Sequence, residues 1–482
     1  MTLMQRKKHK MPCLFCAVLI AAVLACSLTG CATTSDTGTE STSENSAGTQ
    51  TAENGAQNTQ SADTDNIYDT PNDEHHHYNG TSFTVLTSSS DASNDIFFSE
   101  QEASDVYCIQ SAKRNEAVEQ KLGIIIQQKT ASDVTEYIKE TNASGNAPDL
   151  VYSSGKNGIS EMMLYGCLED LYEYKDDTLT SVGVSVSVVR QLSVYGKLYM
   201  LTGAPIRSSV ENTAAVAYNA ELMKSMGYEA GYLEELVLGG EWTLDTMSTL
   251  IKKAQSQSGS DSYSAVGGGA ESLYHMWKGM GALTVEKLNG DVPSVSVYSP
   301  KNIYYFERVN DFASDVGEIS DNADDPLFYI ETIGQIKEKV KHSYGILPMP
   351  SYHEGGEYTC VLDFDDTFFT AVPAGAARKQ MSLDYLHGFY DLSVDTVYSV
   401  TVAENTFGSG EVLDVILKSR YFDFLDMYGI GHIVSTAFYS QTDTDDFDDL
   451  LSARAKFAAE ALDIALRQTV GTNTNSNSNT SE

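Results

Sequence analysis

The sequence predicts an α/β fold of two lobes, each a sheet flanked by helices. Between two polar tails lie about 390 residues, roughly Gly80 to Gln468, too many for one simple core and natural for two. Short apolar runs alternate with amphipathic helical stretches, the pattern of sheets covered by helices. The first five elements follow as β-α-β-α-β within about 70 residues, which makes a parallel sheet whose strand ends form a crevice.

Ser82 to Leu86 reads as the first strand. From Arg114 to Leu122, Ala117, Val118 and Leu122 recur on one helical face; Gly123 supplies a left-handed stop, and Ile124-Ile125-Ile126 follows as a buried strand. Ser132 stands where a cap for the next helix is needed, and Val134, Tyr137 and Ile138 face inward. That helix ends near Gly145, and Pro148 to Tyr152 returns as a strand. Trp242, just before the N-cap residue Thr243, is placed to pack on Met247 as a hydrophobic staple.

The N-terminal residues read as an address. Arg6, Lys7, Lys8 and Lys10 precede an uncharged apolar run from Met11 to Ala25, too short for a stable membrane span and typical of a signal peptide. Leu28-Thr29-Gly30-Cys31 then resembles the bacterial lipobox, so residues 1–30 are expected to be removed and Cys31 to carry lipid. Two or more acyl chains, at about 0.8 kcal/mol per buried CH₂, hold a protein at a membrane almost irreversibly. Residues 31–79 hold no Lys or Arg and almost nothing apolar, which predicts a disordered leash. Residues 469–482 have the same Asn/Ser/Thr character and are expected to be an unstructured tail.

The basic cluster removed with the leader leaves 27 basic against 67 acidic residues after Gly30, a net −40. Such a chain repels phosphate backbones, which excludes nucleic acid as a partner. A neutral or polycationic ligand stays open. Cys108, Cys167 and Cys360 remain after Cys31, an odd number without C-x-x-C spacing, so no zinc site is indicated; one disulfide or three free thiols both fit. The run His75-His76-His77 cannot turn all its rings to one ion. The acids from Asp443 to Asp449 fail the EF-hand register, with Asp448 where Gly is wanted and Arg454 where Glu is wanted, and read as a solvated loop. No metal or cofactor is expected. The chain holds no G-x-S-x-G, H-E-x-x-H, Walker A or Rossmann motif, and Gly267-Gly268-Gly269 lacks a following Lys, so an enzyme is not expected. A carboxylate pair for glycoside hydrolysis remains the rival reading.

Several segments carry a family resemblance. Asn146-Ala147-Pro148-Asp149-Leu150-Val151, Gly196-Lys197-Leu198-Tyr199 leading to Pro205, Ala217-Tyr218-Asn219-Ala220-Glu221-Leu222 closed by Gly227, and Glu241-Trp242-Thr243-Leu244-Asp245 resemble, in that order, extracellular solute-binding proteins of family 1, which includes maltose-binding protein. Tyr344 to Pro350 and Phe368 to Pro373 continue the likeness. The resemblance implies a two-lobed periplasmic-binding-protein-like fold of type II. Residues 80–212 with 348–395 would form one lobe and 213–347 with 396–468 the other, with crossings near Asn212, near Leu347 and around residues 390 to 400. It implies a lipid-anchored monomer on the outer face of the cell membrane that captures a solute in the interlobe cleft for the permease subunits of an ABC importer.

In the resembled family, ligand contacts follow the strand bearing Pro-Asp, precede the strand ending in Tyr-Asn, and line the first turns of the second lobe. Here those places hold Tyr152, Ser153 and Ser154; Glu211 and Asn212; Gly268, Glu271, Tyr274 and Trp277; and Thr332 with Gln335. The implied ligand is an oligosaccharide, for which 28 Tyr can supply stacking faces. Ser153 stands where maltose-binding protein has an aromatic platform, which argues against long maltodextrins. A polyamine or basic peptide, or a role reporting to a membrane sensor kinase, are the alternatives.

Overall fold

The computed structural model describes residues 77–89, 105–174, 186–203, 206–259, 265–269, 271–288, 292–317, 319–393, 397, 409–438 and 444–476. The leader, Cys31, most of the leash, Pro205 and residues 477–482 lie outside them. Besides a two-stranded ribbon (Val285–Leu288 with Val292–Val295), the strands in chain order are β1 (Thr81–Ser88), β2 (Ile124–Ala131), β3 (Leu150–Ser154), β4 (Ala214–Asn219), β5 (Val266–Gly268), β6 (Phe328–Thr332), β7 (Tyr344–Leu347), β8 (Cys360–Val361), β9 (Phe368–Ala371) and β10 (Arg420–Tyr421). The principal helices are α1 (Val106–Leu122), α2 (Val134–Ser144), α3 (Arg207–Glu211), α4 (Leu244–Ser258), α5 (Ser272–Gly279), α6 (Pro300–Val316), α7 (Ile333–Lys339), α8 (Lys379–Asp391) and α9 (Thr444–Ser476).

One sheet has the order β9-β3-β1-β2. β1 runs parallel to β2 (Thr81 opposite Ile124) and to β3 (Val85 opposite Leu150), and β9 returns antiparallel to β3. β1 is central, and Phe83, Val85 and Leu86 are fully buried. β2 departs from the expected buried strand: Ile125 is 52% exposed, because β2 is the sheet's edge and one flank lies open. Gly123 ends α1 at φ 63°, as its spacing predicts, but α1 starts at Val106, earlier than the apolar face suggested. Asp105 caps it by accepting from the Cys108 N–H at 2.8 Å. The cap of α2 is Asp133 and not Ser132: the Asp133 carboxylate accepts from the Glu136 N–H at 2.9 Å, three residues on, a reach that Ser132 lacks. Asp149 locks β3 in place. It accepts from the Thr84 N–H at 2.8 Å and takes both arms of the Arg378 guanidinium at 3.0 and 2.7 Å.

The second sheet has the order β5-β6-β4-β7. β4 is antiparallel to β6 (Ala214 opposite Thr332) and to β7 (Asn219 opposite Tyr344), while β5 is parallel to β6. Beside it, Trp242 is fully buried, donates its indole N–H to the Pro348 carbonyl at 2.9 Å and lies 5.6 Å from the Phe328 ring. Thr243 caps α4.

Residues after Leu347 are bonded to the segment that leads into α4. Ser351 and Gly355 donate their N–H groups to Trp242 and Gly240, and the Tyr358 hydroxyl donates to Val237. The segments that run side by side between the sheets are Thr213, bridged to Leu362, and β8, paired in parallel with β10. Backbone bonds to the α4 entry thus hold residues 351–355 beside the second sheet, and the helix Gly410–Lys418 packs against β7.

The acids Asp445, Asp446, Asp448 and Asp449 belong to the opening turns of α9 and not to a loop; a helix N-terminus favours negative charge. α9 continues past Gly471 to Ser476. No proline intervenes there to break the helix. Cys108, Cys167 and Cys360 are free and buried. Among the described residues no helix is long and apolar enough to cross a membrane.

Candidate functional site

Strand register defines where a cleft lies. The last residue of β3, Ser154, pairs with Phe368, the first of β9. On the other sheet Thr332, the last of β6, pairs with Ala214, next to the bridging residue Thr213. The ends of β3 and β6 and the turn 363–367 therefore lie near the bridged pair Thr213 and Leu362. Backbone bonds tie that turn down: Lys156 N–H donates to Asp365, and Asp363 N–H donates to the Asn212 carbonyl. Gly268 sits at φ 154°, and a Cβ there would collide with Ser272 Oγ and the Ile330 carbonyl, so glycine lets the β5 loop close on β6.

The expected site residues divide. Ser154 and Thr332 are the last residues of β3 and β6, and Glu271 immediately precedes α5. Ser154 Oγ is buried without a hydrogen-bond partner, Glu271 is half exposed, and Thr332 Oγ1 accepts from the Gln335 N–H at 3.4 Å, leaving the Gln335 side chain exposed. Ser153 donates to the Asn157 carbonyl at 3.0 Å. Tyr152 is buried and stacks on Phe368 at 4.8 Å. Asn212 ends α3 beside Glu211, whose carboxylate meets Lys337 at 2.7 Å and Arg207 at 3.4 Å.

Tyr274 and Trp277 lie in the interior. The Tyr274 hydroxyl donates to Asp423, the Trp277 indole N–H donates to the Asn302 carbonyl at 2.9 Å, and both rings pack on Phe438. Trp277 has no exposed surface, so no face of its ring is open for stacking in this arrangement.

Sequence reasoning missed the acids of this region. Asp363, Asp365 and Asp366 fill the turn before β9, Glu331 sits near the end of β6, and Asp426 follows β10. The readable signal was the run Asp363-Phe364-Asp365-Asp366 abutting the apolar strand Phe368 to Ala371. Burial, with the charges of Asp366, Asp365 and Glu271, pushes the Asp363 carboxyl up to about 6. Burial and the neighbouring acids likewise raise Asp365 and Asp426, and burial raises Glu331. Glu271 acts on Asp363, Asp365 and Glu331 alike, so these carboxylates share one electrostatic neighbourhood. Against them stand Lys156, paired with Asp366; Lys339, 3.1 Å from Asp321; and His432, which acts on Asp365.

No protein-family model and no curated protein matches the sequence. Solved structures do match its fold. A cyclic α-maltosyl-1,6-maltose binding protein from Arthrobacter globiformis aligns over 80% of this chain and 99% of its own, with 13% identity and a TM-score of 0.54. UgpB from Mycobacterium tuberculosis in complex with glycerophosphocholine aligns over the same shares with 14% identity and a TM-score of 0.51. An ABC substrate-binding protein from Listeria monocytogenes in complex with cycloalternan covers the same shares at 12% identity and a TM-score of 0.49. The two-sheet architecture and the Arthrobacter and Mycobacterium alignments show that the chain has the two-lobed α/β fold of those solved binding proteins.

Proposed function

We propose that this chain captures a small solute in the cleft between its two sheets, leaves it chemically unchanged, and presents the closed form to the permease subunits of an ABC importer. The observation that carries this reading is the connection between the sheets: Thr213, residues 360–362 and residues 420–421 lie side by side, with the strand ends of both halves facing them. A solute that touches both lobes binds the closed state better, and only that difference in affinity drives closure. One lobe comprises residues 80–212 and 363–395, the other 213–359 and 396–468. Ser153, Ser154, Glu211, Asn212, Glu271, Thr332 and Gln335 line the cleft or brace its wall, with Tyr152, Tyr274 and Trp277 behind them. The oligosaccharide class rests on the Arthrobacter neighbour, which is named for a cyclic saccharide.

A bound solute will raise the melting temperature, by the equivalent of about 2.7 kcal/mol at a hundredfold excess over Kd, and will contract the radius of gyration in solution scattering. Identical scattering profiles with and without a tightly bound solute, or product appearing on incubation, would sink the reading.

The anchor belongs to the same proposal: Cys31 carries lipid at the outer face of the cell membrane, and the leash lets the folded part reach the permease. Cys31→Ser is expected to stay unprocessed or to be released, whereas the natural protein partitions into detergent. Equal membrane retention of both forms would refute lipidation at this residue.

A further inference from the structure

We infer that Lys287 is a latch between the two lobes: its ammonium, carried on the ribbon of one lobe, closes over the open C-terminal carbonyls of a helix of the other and so sets how readily the lobes change their spacing. The inference rests on the division into lobes proposed above and goes beyond it to a group that regulates closure.

Lys287 stands in the first strand of the ribbon Val285–Leu288 with Val292–Val295, opposite Pro293. The ribbon belongs to the lobe that holds residues 213–359, yet the Lys287 ammonium donates to the carbonyls of Arg190 at 2.9 Å, of Gln191 and of Ser193. These carbonyls end and follow the helix Val186–Leu192 of the other lobe. The last carbonyls of a helix find no partner within it. Here the residue that would reach back to Arg190 turns away, because the Val194 N–H donates to the Lys197 carbonyl. An ammonium has three donors and no acceptor, so three converging carbonyls match it, and positive charge is favoured at this end of a helix. The ammonium also lies 4.7 Å from the centre of the Phe424 ring.

Two further contacts engage the same parts. The Gln191 side chain accepts the Phe422 N–H at 2.7 Å and donates to the Arg420 carbonyl at 3.2 Å, which fixes the helix Val186–Leu192 to β10 and the residue after it. The strand Val292–Val295 packs on α9, and α9 packs in turn on the helix Ile159–Leu164 of the first lobe. The ribbon thus reaches the other lobe directly through Lys287 and at second hand through α9. A two-stranded ribbon is marginally stable by itself, so its place depends on what it touches. Any spacing that parts the ribbon from the helix must return the ammonium to water and free its three carbonyls. The latch therefore favours the spacing seen here, and a solute's apparent affinity carries that bias through the fraction of molecules in the competent arrangement.

The test is the distance between nitroxide labels at Lys113→Cys in α1 and Glu307→Cys in α6, both exposed and one on each lobe, read by pulsed dipolar spectroscopy on the full mature chain without added solute. Cys108, Cys167 and Cys360 are buried and do not compete for the label. With Lys287 in place one separation should dominate. Lys287→Met keeps the stem and loses the charge, and Lys287→Gln keeps a donor on a shorter stem; in each the population at a second separation should rise about tenfold, the effect of losing a charge-assisted contact. Lys287→Arg keeps charge and donors and should retain the natural distribution. A shift in Lys287→Arg as large as in Lys287→Met would place the effect in the packing of the stem and overturn the latch. The same distribution in all four proteins overturns it too and leaves solute capture standing, as does a lower melting temperature with no change of separation, the mark of a brace for the ribbon alone. A shifted separation in a protein that no solute contracts upholds the latch and counts against closure by ligand.

Discussion

Lys278→Ala will cost about 3–5 kcal/mol of folding stability, the range for removing one member of a buried ion pair. Lys278 and Asp423 have no exposed side-chain surface and lie 3.1 Å apart. Asp423 also accepts from Tyr274, Thr284 and the Leu425 N–H. Burial pushes the Asp423 carboxyl up, but the Lys278 ammonium and these donors hold it below the usual carboxylate range. With the ammonium gone, an anion stays in the interior with only neutral donors. Because Asp423 follows β10, the defect strikes where the segment after β10 joins α5. Lys278→Met combined with Asp423→Asn should recover part of the loss, since the orphaned charge is gone while an oxygen stays to accept from Thr284 and the Leu425 N–H. Urea titration reads both variants; a loss below about 1 kcal/mol for the single change would mean that water reaches Asp423.

Trp242→Ala is the second large effect, at about 3–5 kcal/mol. The side chain is fully buried, packs against Phe328, and holds the Pro348 carbonyl through its indole N–H. Its own carbonyl receives the Ser351 N–H. The substitution opens a cavity and leaves a buried acceptor unpaired at the start of the segment that leads to β8. Trp242→Phe keeps most of the apolar volume and loses the N–H, so it should fall between the two; equal stability of all three proteins would show that this wall collapses without cost.

The local elements were legible in the sequence because each rests on neighbouring residues. Gly123 and Gly145 stop their helices by a backbone property of glycine alone. Thr243 caps α4 through a bond to a residue three positions on. The alternation of strand and helix from Ser82 to Tyr152 determined a parallel sheet before any contact was known, since parallel strands need a crossover between them. Where two residues competed for one local role, as Ser132 and Asp133 did, pattern alone chose wrongly.

Tertiary structure decided everything that depends on partners distant in the chain. Edge or centre is a matter of strand order, so three consecutive isoleucines could not tell that Ile125 would face water. Spacing put Tyr274 and Trp277 on one helical face, but whether that face meets a cleft or a core depended on Asn302, Asp423 and Phe438. The acids of the cleft come from segments separated by up to about 150 residues, from Glu271 to Asp426. Each alone reads as a solvated surface carboxylate. Their mutual repulsion, and so the chemistry of the cleft, exists only once folding brings them within electrostatic reach in a medium of low dielectric.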